Sequence, residues 1–150
     1  MDVGLVVEPW SPADRAALAP ELPYFGSTAN PIDVTGSMIN DIGILGRTLT
    51  ASLDNADTDS ILVVLGNADR GADEIVAALR IAYAETEKPF VVAWTGGSGR
   101  GLARLLECGI PAYPDPSRAV AVLAQLTRFS ARQNHRATAG PRSAAVGVRG

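Results

Sequence analysis

The chain carries few of the residues that do covalent chemistry or bind metal. It has one cysteine (Cys108), one histidine (His135) and one lysine (Lys88) in 150 residues. A lone cysteine excludes an internal disulfide and any Cys-x-x-Cys metal site, and Cys108 reads as a small core hydrophobe. With His135 far along a basic terminal segment, a Ser-His-Asp or Cys-His arrangement has no base at hand. No residue reads as a catalytic nucleophile, and no metal site is expected. Aromatic residues make up 5% of the chain, so the core must be built from Ala, Val, Leu and Ile. No apolar run reaches the roughly 18 residues that a membrane span needs. The acidic start, Met1-Asp2, is unlike the basic head of a signal peptide. These absences point to a soluble, cytoplasmic protein without a membrane partner.

What is present fits one folded domain. Apolar residues make up 47% and charged ones 19%, which excludes disorder and coiled coil, and a chain this long buries a sizeable core. Charge is uneven: residues 1 to 127 hold all sixteen acids and eight of the thirteen basic residues, whereas five arginines and no acid follow from Arg128. A body that acidic is a poor nucleic-acid binder. From Ser130 to Gly150 the chain is rich in Ala, Arg, Gly, Ser and Thr without apolar periodicity. That composition predicts a folded domain over 1–129 and a basic disordered tail over 130–150, with a contact arm as the other reading of the tail.

Four short apolar runs alternate with helical patterns: Gly4 to Val7, Ile61 to Leu65, Phe90 to Trp94 and Ile110 to Tyr113. The second and third have no polar member, which predicts interior strands covered on both faces, as in a parallel sheet. Pro111 predicts an edge position for the fourth. Met38, Ile42, Leu45, Leu49 and Leu53 form one stripe of a helix over about 37–53. Further helices are expected over about 69–85, over 100–107 with Gly109 as left-handed stop, and from Asp115-Pro116 onward, with a short one over 11–18. The alternation predicts an α/β fold, a doubly wound parallel sheet of flavodoxin-like kind.

In such sheets the ligand crevice lies beyond the carboxyl ends of the strands. Leu65 is followed by Gly66 and Asn67, and Trp94 by Thr95, Gly96 and Gly97; both turns lead into helices whose first amides can hold a phosphate or carboxylate. Tight turns use the same residues for steric reasons, and Asp69, Asp73 and Glu74 already complement the first helix dipole. The third loop, Asn30-Pro31-Ile32-Asp33-Val34-Thr35-Gly36, sets Asp33 and Thr35 near a helix start, where capping is the plainer account. Leu102 breaks a Gly-x-Gly-x-x-Gly dinucleotide turn, and no lysine follows any glycine cluster. Arg100 stands where a nucleophile elbow needs glycine.

The order of these motifs resembles the NDP-forming acyl-CoA synthetases (acetate-CoA ligase, ADP-forming) and the related succinyl-CoA synthetases. The matching features are the Asn30 to Gly36 loop, Asp57 to Leu65, Lys88 to Trp94 with Gly96-Gly97, and Gly109 to Tyr113 followed by Pro116 and Ala119-Val120. The resemblance implies a flavodoxin-like domain of an enzyme that joins acid and CoA at the expense of NTP through a phosphohistidine. It places a phosphate or carboxylate crevice at Gly66, Asn67, Gly96 and Gly97, beside the Asn30, Asp33, Thr35 and Gly36 loop. For the complete enzyme it implies CoA, ADP or ATP, and Mg, with other synthetase domains or subunits, or a second copy, as partners. No Gly-His phosphohistidine loop or nucleotide-grasp segment occurs in these residues. The family has a further strand before the segment equivalent to Gly4 to Val7, and in the order 2-1-3-4-5 that strand is central. Without it the strands at 4–7 and 61–65 must close up or recruit a partner. The chain alone is therefore expected to be inactive; the other reading is a non-catalytic ligand-binding or subunit-docking module.

Overall fold

A computed structural model describes residues 3–138. Three parallel strands, β1 (Ile61–Leu65), β2 (Phe90–Trp94) and β3 (Ala112–Tyr113), lie side by side in that order. Ile61 pairs with Phe90 and Leu65 with Trp94, and Val92 pairs with Ala112. Successive side chains point to opposite faces. Ile61, Val63, Leu65, Phe90, Val92 and Trp94 meet α2 (Ile42–Asp54), α3 (Ala72–Ala84) and α4 (Arg100–Glu107) on one face. Leu62, Val91 and Ala93 meet α5 (Pro116–Thr138) on the other, through Ala119 and Leu123. The sheet is thus wound on both faces, as expected, and every residue of β2 is buried.

Caps set the helix ends. Ser11 accepts from Asp14 N at 3.2 Å before α1 (Pro12–Leu18), and Asp115 Oδ1 accepts from Ser117 N at 2.8 Å before α5. Gly109 takes φ +75° and closes α4, as predicted. The single lysine is spent on another helix end: Lys88 Nζ donates to the carbonyls of Leu53 (2.6 Å) and Asn55 (2.9 Å) where α2 terminates. A cation there satisfies otherwise orphaned carbonyls and complements the dipole. Lys88→Met is expected to lower stability by about 1–2 kcal/mol in urea denaturation, since charge-assisted bonds at a half-buried site outrank neutral ones.

The structure departs from the sequence reading at six places. Gly4 to Val7 form no strand; Leu5 packs against the α5 side while Val6 and Val7 stay 77% and 60% exposed, because no neighbouring strand offers them a ladder. For the same reason β1 is an edge, not an interior strand. The single helix over 37–53 divides into a 3-10 turn, Gly36–Ile39, and α2, because Asp41 Oδ1 accepts from Gly43 N at 3.0 Å and starts a new helix. The helix expected from Asp69 begins at Ala72, after Gly71 in the left-handed region. The tail expected from Ser130 is helical as far as Thr138, carried by the strong helix formers Ala, Arg and Gln; residues 139–150 lie outside the described ones. Cys108 is exposed, since it caps α4 at the surface and does not enter the core.

Candidate functional site

Two of the three loops meet in one groove. A cavity of about 530 Å³ runs along the outer edge of β1, with Asn30, Asp33, Thr35 and Gly36 on one wall, α2 on another and Gly66 and Asn67 at its upper end. Thr95, Gly96 and Gly97 do not line it. They stand directly behind Asn67: a Cβ placed on Gly96 would lie 3.8 Å from Asn67 N. Asn67 therefore joins the two groups of predicted residues.

Local bonds fix each wall. Asn30 Nδ2 donates to Glu8 O at 3.0 Å, and Ser27 and Asp33 exchange backbone bonds of 3.1 and 2.8 Å across a cis Asn30–Pro31 peptide. Asp33 Oδ1 accepts from Thr35 N at 2.8 Å, and Thr35 Oγ1 accepts from Ser37 N at 3.2 Å. Capping, the plainer account of Asp33 and Thr35, is what both side chains do. Thr35 nonetheless sits at φ +59°, which a β-branched residue rarely adopts. Such strain persists only where the surroundings over-determine it.

The second turn is already occupied by an internal anion. Asp69 accepts the Ser98 amide through both carboxylate oxygens, at 2.9 and 3.1 Å, and the Ser98 hydroxyl at 2.9 Å. Gly97 turns at φ +74°, and a Cβ there would stand 2.7 Å from Asp69 Oδ1, so only glycine lets the carboxylate approach. Thr95 is equally committed, its N and Oγ1 both donating to Leu65 O at 2.8 and 3.1 Å. Asp73 is paired with Arg100 and Arg104 across α3 and α4. Gly66 and Asn67, by contrast, line the groove's upper end, ahead of Gly71 and the start of α3 and not at a helix N-terminus. No Lys or Arg lines the groove, and Asp33 is its one ionisable side chain.

Sequence reasoning missed Trp10 and Thr48, which line the groove, and Asp69, which holds the Ser98 turn. Asp69 and Ser98 lie 29 positions apart, so no local signal links them. As for Mg, among the described residues no group of three His, Cys, Asp or Glu side chains could hold a metal ion. Asp33 and Asp69 are each engaged with backbone amides. The donor set of the described residues does not fit a metal ion. No helix among the described residues is long and apolar enough to cross a membrane.

Comparison with known proteins follows the same lines. No protein-family model matches the sequence. The chain is 35% identical over 117 residues to acetate-CoA ligase (ADP-forming) I subunit alpha of Pyrococcus furiosus, a match covering 75% of this chain. The chain is related to the NDP-forming acyl-CoA synthetases. Among solved structures, the dinucleotide forming acetyl-coenzyme A synthetase 1 of Ca. Korarchaeum cryptofilum, in complex with phosphate and ADP, superimposes with TM-score 0.70 at 28% identity over 94% of this chain. PH0766 of Pyrococcus horikoshii shares the fold, with TM-score 0.72 at 23% identity over 85% of the chain. These 150 residues span only 25% of the curated synthetase relative and 31% of each structural one, so the relationship is to a part of a larger synthetase.

Proposed function

We propose that the chain is a domain-sized relative of an NDP-forming acyl-CoA synthetase that supplies a phosphate or carboxylate crevice and works only beside other synthetase domains or subunits in the cytoplasm. The observation that carries this reading is the meeting of the Asn30 to Gly36 loop with Gly66 and Asn67 at one end of the groove, backed by Gly96. Amides held in place at a strand end stabilise charge that develops on a transferring group without reorganising at that moment. With no cation among the lining residues, their hold on an anion is weak and transient, which suits a group handed on from elsewhere. Asp33 and Thr35 fix the facing loop through their bonds to Thr35 N and Ser37 N. CoA, ADP or ATP, and Mg belong in this reading to the complete enzyme. The chain itself contributes no nucleophile and no general base.

Calorimetry with inorganic phosphate, CoA and ADP tests it. Phosphate is expected to bind on the order of millimolar, about 4 kcal/mol. Gly66→Val fits the backbone, since nothing lies within 4 Å of a Cβ there. It is expected to fold normally and lose phosphate by about tenfold or more. Unchanged phosphate affinity in Gly66→Val would return the turn to a purely steric role. Binding of none of the three ligands would favour the second reading, a docking module, for which the unpaired edge of β1 speaks.

A further inference from the structure

The register of β1 determines which of its main-chain groups are spent. Ile61 N donates to Pro89 O and Leu65 O accepts from Thr95 N, both at 2.8 Å. Alternation along a parallel ladder then turns the N–H and C=O of Ile61, Val63 and Leu65 toward β2, and those of Leu62 and Val64 away from it. Among the described residues nothing pairs with Leu62 and Val64 on that outer side. The free edge forms the floor of the groove described above.

We propose that this groove is a docking site for one extended, uncharged, aliphatic segment of a partner polypeptide, which adds to the sheet as a fourth strand on Leu62 and Val64. Three observations choose this occupant. The edge is recessed between α2 and the Asn30 to Gly36 loop, so the equally recessed β1 of a second copy cannot reach it, whereas a single extended segment can. The walls are predominantly aliphatic, and their one ionisable side chain, Asp33, is bonded to Thr35 N; a charged segment buried there would go unpaired. The third is Thr48, on the α2 wall, which is 6% exposed with a hydroxyl that has no hydrogen-bond partner among the described residues. Buried hydroxyls are nearly always bonded, and the backbone of an added strand provides the partner. The chain's own residues 139–150 contain Pro141, Arg142, Arg149 and three glycines, and their one apolar stretch, Ala144 to Val148, is interrupted by Gly147, which disfavours them as the occupant. The proposal stands apart from phosphate binding at Gly66, because it concerns the length of the edge and not its upper end.

The probe is a synthetic peptide with a Val-Ile-Val-Ile-Val core and terminal lysines for solubility, added to the full chain, with amide hydrogen exchange as readout. In the free chain, Leu62 and Val64 are expected to exchange fast while Ile61, Val63 and Leu65 are protected. The peptide should slow Leu62 and Val64 by about tenfold or more, and the same peptide N-methylated at alternate residues should not. Val64→Pro, which removes only an outward N–H, should remain folded by circular dichroism and lose the effect. Leu62 and Val64 already protected in the free chain would show the edge filled by the chain's own tail or by a second copy, and would overturn the proposal. Equal effects from the N-methylated peptide, or no protection by either peptide, would overturn it too.

Discussion

Replacing Gly101 with alanine is expected to destabilise the fold by roughly 2–3 kcal/mol, read as a lower urea midpoint at unchanged slope. Two effects compete. Glycine inside a helix is worse than alanine by up to about 1 kcal/mol, so propensity alone predicts a gain. A Cβ at position 101, however, falls within 2.5 Å of Trp94 Cζ2, and Trp94 is 4% exposed at the centre of the main core. A buried indole packed against both sheet and helix has nowhere to move, so overpacking wins. Gly46, inside α2, is the internal control: nothing lies within 4 Å of a Cβ there. Gly46→Ala should therefore gain about 0.5–1 kcal/mol. Partial rescue of Gly101→Ala by Trp94→Leu would identify the ring as the obstacle, whereas a stabilised Gly101→Ala would mean that α4 stands further from β2 than described.

Proline scanning of β1 should produce the other large effect, and a strong asymmetry between neighbours. Val63→Pro removes an N–H that the register turns toward β2 and deletes a buried side chain that is 9% exposed, so a loss of roughly 3 kcal/mol or more is expected. Val64→Pro removes an N–H with no partner among the described residues and a side chain that is 59% exposed; the expected cost is about 1 kcal/mol or less. The residue before proline must be extended, which both positions already satisfy. Equal losses at the two positions would show that β1 is paired on both edges in solution.

Much of the architecture was legible because it is written locally. The two five-residue apolar runs at 61–65 and 90–94 are strands with the expected limits, and Arg100–Glu107 and the Asp115-Pro116 start match the capping signals. The misreadings share one cause, a dependence on partners distant in sequence. Gly4 to Val7 has the composition of a strand, yet a strand exists only with a neighbour to bond. The all-apolar character of β1 predicts cover on both faces, yet α5 reaches only part of its second face and leaves Val64 59% exposed, and the same character says nothing of its edges. Asp41 caps α2 through Gly43 N and so interrupts what the apolar stripe alone presents as one helix. At the site, the glycine turns after β1 and β2 could be read from turn chemistry, but the seating of Asp69 on Ser98 depends on how α3 and α4 are brought side by side.

That seating leaves the Ser98 turn self-satisfied. Its amide and hydroxyl are both spent on Asp69, so the loop after β2 is tethered to the segment that precedes α3. The two cannot part without leaving a carboxylate and two donors to find water instead.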